Sequence, residues 1–164
     1  MKMGVKVLFI DVDGTLTDGK IYLGTNGEEV MKVFSVKDGS VLHKLFPVHN
    51  VMPVILTGRN SIIVKKRCDE LDIPGCHLAV KDKLSLIKSY QDRYEPSSFS
   101  YIGDDTNDLS SIRYINSMGG ITACPADAVP TVKQEVSFIC VHRGGDGAVR
   151  DFVEYLITNC LIAK

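Results

Sequence analysis

The stretch Leu8-Phe9-Ile10-Asp11-Val12-Asp13-Gly14-Thr15 decides the fold of this chain of 164 residues. An apolar run from Val5 to Ile10 meets two carboxylates one residue apart, and a glycine follows at once. An apolar run of that length reads as a strand of a parallel sheet, covered on both faces. Ligands in such sheets gather at the carboxyl ends of the strands. Asp11 therefore falls at a strand end and Asp13 on the turn beyond it, where Gly14 lets the loop fold over. Two acids so close are costly to bury unpaired. A cation bound through hard oxygen ligands, magnesium by type, supplies the partner.

Outward from that strand, strand and helix patterns alternate. Lys20 to Leu23 and Glu29 to Phe34 flank Thr25-Asn26-Gly27, and Asn-Gly favours a tight hairpin turn. The segment from about 18 to 36 is expected to project as a β-hairpin flap. Ser35-Val36-Lys37-Asp38-Gly39 brings the chain back, and a short helix is expected from about Ser40 to Phe46, ended by Pro47. Met52 to Leu56 is a second buried strand, followed by Thr57-Gly58-Arg59-Asn60. Asn60 is the expected cap of a helix with Val64, Cys68 and Leu71 on one face. A strand from His77 to Val80 leads to Lys81-Asp82-Lys83 and a helix carrying Leu84, Ile87, Tyr90 and Tyr94. Phe99 to Ile102 is a strand ending in Gly103-Asp104-Asp105-Thr106-Asn107-Asp108, with a helix running on to about Ile115. Gly119 to Ala123 is a strand, Pro125 to Lys133 a loop and short helix, and Phe138 to Val141 the last strand. After Arg143-Gly144-Gly145-Asp146-Gly147, a final helix is expected to bury Val149, Phe152, Val153, Leu156 and Cys160. This alternation implies an α/β chain, a parallel sheet with helices on both faces, as one domain over 1–164.

The net charge of -1 gives no electrostatic footprint for nucleic acid. No apolar segment approaches the length of a membrane span. Met1-Lys2-Met3-Gly4 runs straight into a strand, so no leader is expected. The five cysteines are odd in number and lack Cys-x-x-Cys spacing. They read as reduced core residues of a cytoplasmic protein. His43, His49, His77 and His142 show no zinc spacing. Gly145-x-Gly147 at a helix start mimics a dinucleotide fingerprint, but Arg150 replaces its third glycine and no strand follows.

Four segments end strands: Asp11/Asp13, Thr57-Gly58, Lys83 just past its strand, and Gly103-Asp104-Asp105. On a parallel sheet these ends share one edge. A nucleophile, a hydroxyl donor, a cation and a metal-binding acid pair meeting there suit phosphoryl transfer, where catalysis is mostly positioning and charge stabilisation.

Asp11-Val12-Asp13-Gly14-Thr15-Leu16-Thr17 resembles the first motif of the haloacid dehalogenase-like phosphohydrolases, and the other three segments follow in that family's order. The resemblance implies a Rossmann-like three-layer αβα sandwich and magnesium-dependent hydrolysis. Asp11 would be the nucleophile, forming an aspartyl phosphate. Asp13 would serve as general acid and then base. Thr57 would hold phosphate oxygens and Lys83 would neutralise charge. Magnesium would be held by Asp11, the backbone carbonyl of Asp13, and Asp104, with Asp105 and Asp108 behind them. An acid at position 13 argues for hydrolysis, since the related ion-pumping ATPases carry threonine there.

The short interval between Asp13 and Thr57, half of it used by the hairpin, leaves no room for a cap domain. Phe34-Ser35-Val36-Lys37-Asp38-Gly39, Thr57-Gly58-Arg59 and Arg143-Gly144-Gly145-Asp146-Gly147-Ala148-Val149-Arg150 resemble the capless 3-deoxy-D-manno-octulosonate 8-phosphate phosphatase family. One departure is Leu78-Ala79-Val80, where that family more often shows an aromatic and a glycine. The resemblance implies a small acidic sugar phosphate as substrate and a homotetramer. Gly58, Arg59, Arg67, Arg143 and Arg150 would contact the sugar acid, the arginines because guanidinium groups bind carboxylates in bidentate fashion. Arg59 favours an eight-carbon acid over a nine-carbon sialic-type acid, whose phosphatases tend to carry an acid there. Two other readings stand beside this one. A phosphoacceptor receiver domain uses similar residues in a different order, and a non-catalytic scaffold could share the fold.

Overall fold

The computed structural model describes residues 4–162. Met1 to Met3, on which the expectation of no leader rests, lie outside the described residues. Six strands form one parallel sheet: β1 (Val7–Ile10), β4 (Met52–Leu56), β5 (Gly75–His77), β6 (Phe99–Ile102), β7 (Ile121–Cys124) and β8 (Phe138–Ile139), in the order β5-β4-β1-β6-β7-β8. β2 (Tyr22–Leu23) and β3 (Glu29–Met31) pair antiparallel as the separate hairpin. β1 sits between β4 and β6, so Ile10 is level with Ile55 and Ile102.

The alternation of β1 divides the core. Leu8 and Ile10 point into one layer with Val41, Leu42, Val64, Cys68, Phe152 and Leu156. Val7 and Phe9 point into the other with Ile87, Ile112, Ile115 and Val132. The first layer is thus covered by helices α1 (Val36–His49), α2 (Ile62–Glu70) and α6 (Ala148–Thr158), the second by α3 (Lys83–Ser89), α4 (Leu109–Ser117) and α5 (Pro130–Lys133). Each fully buried Leu, Ile or Phe contributes roughly 1.5–3 kcal/mol. The sandwich is therefore held chiefly by β1 and its two neighbours. No described helix is long and apolar enough to cross a membrane.

Several expected boundaries move. Helix α1 begins at Val36, not near Ser40, because the Ser35 hydroxyl accepts from Lys37 N and caps it. Gly39 is tolerated inside it, since a Cβ there would lie 2.4 Å from Arg67 Nη2. Pro47 does not end the helix. It sits exposed in the last turn, where it costs the helix a single hydrogen bond. Asn50, at φ 53, ends it instead. Asn60 is not the cap of α2; the Ser61 hydroxyl accepts from Val64 N.

The strand expected at His77 to Val80 is Gly75–His77 instead, because Ala79 at φ 54 leaves the extended region. Val80 N and Ala79 N then bond the carbonyls of Thr57 and Arg59 at 3.0 and 3.1 Å. The helix carrying Leu84 ends at Ser89, and Tyr90–Asp92 form a tighter turn. β7 runs Ile121–Cys124 rather than from Gly119, and β8 stops at Ile139. α6 ends at Thr158, leaving Cys160 exposed, and Cys76 is half-buried; only Cys68, Cys124 and Cys140 are core thiols.

Candidate active site

Asp11 leaves β1 with its N–H on Ile102 O at 3.0 Å, which fixes the acid between β1 and β6. The next residues make one wide turn over Val12–Leu16, closed by Thr17 N on Val12 O at 3.0 Å. Gly14 stands at φ 90, and a Cβ there would fall 2.0 Å from Asp104 Oδ2. The glycine is thus required twice, for its backbone angle and for the close approach of Asp104. Lys83 opens α3, whose cap is Asp82. Its buried ammonium lies 2.6 Å from both Asp11 Oδ1 and Asp108 Oδ1. Burial alone would lower the Lys83 pKa, but the charges of Asp11 and Asp108 outweigh it and hold it above the ordinary value. Lys81, the neighbouring lysine, is exposed.

Asp108 is fully committed. Its Oδ1 also accepts from the Tyr101 hydroxyl at 2.6 Å, and its Oδ2 from the backbone N–H groups of Asp104 (2.9 Å) and Asp105 (3.2 Å). It therefore shapes the loop and braces Lys83. Asp105 is exposed and caps the turn Thr106–Asp108 through Thr106 N. Asp104 is different. Its Oδ1 is buried without a hydrogen-bond partner. Burial first, and then the charge of Asp11, push its carboxyl pKa up; burial and Asp108 do the same to Asp11, against the pull of Lys83. Carboxylate oxygens of Asp11, Asp104 and Asp108 lie within 4.8 Å of one another. Two pressed-together carboxylates with an orphaned buried oxygen are what a divalent cation relieves. Asp11 and Asp104 fit that role; the Asp108 oxygens are already occupied.

Asp13 takes no part in that cluster. Its Oδ2 accepts from the Thr57 hydroxyl at 3.3 Å, and its Oδ1 is ion-paired with Lys32. Lys32, just beyond β3, has a side chain only 1% exposed and also pairs with Glu29 at 3.2 Å. Glu29 in turn accepts from the Ser61 hydroxyl at 2.6 Å and from Arg59 Nε at 3.3 Å. Lys32, Glu29 and Ser61 were not expected from the sequence. Nothing marks Lys32 among the other surface-type lysines, since its burial comes from the hairpin folding back over the strand ends.

The sequence-expected contacts with a sugar acid fall in separate places. Arg59 is held by Glu29 beside the Asp13 network, and Gly58 is exposed on the turn before it. Arg67 pairs with Glu70 at 2.8 Å and lies over the Phe34 ring, touching none of the acids above. Arg143 is 75% exposed, pairs with Asp127, and shares an open cleft with Asp18 and Lys20. Arg150 pairs with Glu154, while its backbone N–H bonds buried Asp38 at 2.8 Å. The glycine-rich loop has a firmer place. A Cβ on Gly144 would fall 1.9 Å from Gly14 O, and Gly145 N donates to Thr15 O at 3.0 Å. The C-terminal loop is packed directly onto the turn that follows β1.

No family model matches the chain. It is 32% identical over 155 residues to the 3-deoxy-D-manno-octulosonate 8-phosphate phosphatase of Salmonella typhi, covering 93% of this chain and 79% of that protein. The enzyme of that name from Escherichia coli K12 is also 32% identical over 155 residues, with the same coverage. Among solved structures, the cobalt-bound deoxy-D-mannose-octulosonate 8-phosphate phosphatase of Haemophilus influenzae superposes with a TM-score of 0.86 at 30% identity, over 94% of this chain and 88% of that one. The 3-deoxy-D-manno-octulosonate 8-phosphate phosphatase of Moraxella catarrhalis, solved with magnesium, phosphate and the sugar acid, gives 0.85 at 33% identity, over 94% and 86%.

Proposed function

The chain belongs to the 3-deoxy-D-manno-octulosonate 8-phosphate phosphatase family of the haloacid dehalogenase-like phosphoric monoester hydrolases, and from that premise we propose that it hydrolyses 3-deoxy-D-manno-octulosonate 8-phosphate with magnesium. We read the chain as one catalytic domain carrying its hairpin flap. The observation that carries the reading is the trio at the end of β1: buried Lys83 Nζ 2.6 Å from buried Asp11, and half-buried Asp104 beside Asp11 with a bare buried oxygen.

Asp11 attacks phosphorus in line, the bond to the sugar oxygen breaks, and Asp13 gives that oxygen its proton. Water then attacks the aspartyl phosphate, Asp13 takes its proton, and inorganic phosphate leaves with Asp11 restored. Lys83 keeps Asp11 oriented and offsets phosphate charge. Thr57 and the backbone after it hold a phosphate oxygen. Bound magnesium, held by Asp11 and Asp104 with the backbone carbonyl of Asp13, would neutralise charge on the phosphate. Arg59 is the proposed anchor for the substrate carboxylate, released from Glu29 when the acid binds.

Phosphate release should be measured over a panel of sugar phosphates with magnesium. The eight-carbon keto-acid phosphate is expected to be cleaved best. Preference for a nine-carbon acid would change the sugar, and preference for neutral hexose phosphates would overturn the substrate class. Arg59→Ala should raise KM for the acidic sugar phosphate about 10-fold or more, the loss of a charged hydrogen bond. It should leave a small aryl phosphate nearly unaffected. Equal loss on both would place Arg59 in phosphate binding instead.

A further inference from the structure

We propose that Lys32, carried by the hairpin, is a positioning residue for the leaving-group step: it orients the Asp13 carboxyl, and Glu29 holds Lys32 in place. The inference rests on the phosphatase reading above and extends it to the flap.

The two catalytic acids are each gripped by a different lysine. Lys83, from α3, holds Asp11. Lys32, from the hairpin, holds Asp13. A lysine ammonium with its side chain 1% exposed is stable only if its charge is met. Here Asp13 and Glu29 both meet it. Glu29 is not free to wander, because Ser61 Oγ at 2.6 Å ties its carboxylate to the cap of α2, and this contact stays when Arg59 Nε, 3.3 Å away, turns to the substrate. The chain of contacts runs Ser61–Glu29–Lys32–Asp13–Thr57, from the α2 cap across the hairpin to the acid and back to the end of β4. Asp13 sits on a turn with a glycine next to it, so its carboxyl has no secondary structure to fix it. Thr57 Oγ1 at 3.3 Å is its other side-chain contact. Lys32 supplies the grip, and seating of the hairpin is thereby coupled to the aim of the acid.

A sugar alkoxide is a poor leaving group and needs the proton from Asp13; a 4-nitrophenolate does not. Comparing kcat/KM on the sugar phosphate and on 4-nitrophenyl phosphate therefore isolates this step. The parameter covers events only through release of the alcohol, so the later role of Asp13 toward water does not enter it. Lys32→Met keeps the aliphatic stem and removes the charge. It is expected to lower kcat/KM for the sugar phosphate by about 10-fold or more and that for the aryl phosphate by less than about 3-fold, within the span of general acid catalysis. Lys32→Arg should recover part of the loss. Glu29→Gln, which leaves the lysine in place and guards against a Lys32→Met protein that fails to fold, should show the same selectivity in weaker form. Equal losses on both esters, or no loss on the sugar phosphate, would overturn the proposal. A wild-type protein inert to both esters would retire the phosphatase reading itself, before any variant is made.

Discussion

Asp11 and Asp104 oppose each other across the end of β1, and the cost of that opposition sets how the site answers to pH and metal. Both carboxyls are raised above their ordinary value of 3.8, by burial first and by neighbouring acids next. The unfolded chain ionises them near 3.8, so the folded chain holds protons that the unfolded chain has lost. Their cost is absent below the unfolded value, grows as pH rises above it, and is complete once pH passes the folded values. Metal-free protein should therefore lose thermal stability as pH rises through that interval, and magnesium should restore most at the upper end. Binding should release protons, because the ligands must ionise. Calorimetry in two buffers of different ionisation enthalpy reads that release directly. Asp104→Asn should abolish the magnesium-dependent shift in Tm, and an unchanged shift would remove Asp104 from the metal site. Asp11→Asn should abolish turnover, whereas Asp13→Asn should slow it by roughly 10² or more. Phosphate release from the two purified variants checks both. These acids were legible in the sequence because two carboxylates after an apolar run have few uses. Lys32 was not, since the acid it grips, Asp13, lies far from it in sequence.

At the scale of elements, the strands were legible and their ends were not. Apolar runs located β1 and β4 to within a residue or two, because burial on both faces leaves no polar position to blur the pattern; β6 was found as readily although it buries Ser100, whose hydroxyl is spent on Ile121 O. Helix ends depend on single side-chain bonds, and Ser35 and Ser61 compete with equally plausible caps nearby. Ala79 shows the same limit in a loop. It holds φ 54, a left-handed angle that costs a side chain roughly 1–2 kcal/mol, and the residues alone do not announce it, although the glycine more often found in the resembling family at Leu78-Ala79-Val80 fits that angle. Ala79→Gly should raise stability by about 0.5–1 kcal/mol, partly offset by the freer unfolded chain. Chemical denaturation measures this, and a loss would show that the segment is not strained. Gly144→Ala should act in the other direction. Its Cβ would lie 1.9 Å from Gly14 O, and backbone cannot yield as a side chain can. The turn after β1, proposed to carry the catalytic acids, must shift, so activity should fall well before the melting temperature does, a separation that assay and thermal unfolding together would reveal.

For the molecule as a whole, the alternation of strand and helix was enough to give the layers and the shared edge where the site forms. It could not say what covers the hairpin. Ile21, Leu23, Val30, Met31 and Val33 are between 46% and 60% exposed, all on or beside two short strands that pair only with each other. A two-stranded hairpin is marginal in water by itself. Lys32 and Glu29 pin one edge of it to the site, but the apolar side chains gain nothing from those ion pairs. Packing of hairpins between copies of the chain would bury that surface and let one subunit roof the open edge of the next. A homotetramer is the proposed assembly, as the family resemblance implies. Paired substitution of Leu23→Glu and Val33→Glu would place charges where apolar contact is proposed, away from the buried acids. Light scattering at micromolar concentration should then show a smaller species than the wild type. If the roof matters, KM for the sugar phosphate should rise in that species while the aryl phosphate, too small to reach a neighbour, is cleaved as before. A wild-type protein that is monomeric and fully active would sink the idea, because the exposed hairpin would then be stable and competent alone.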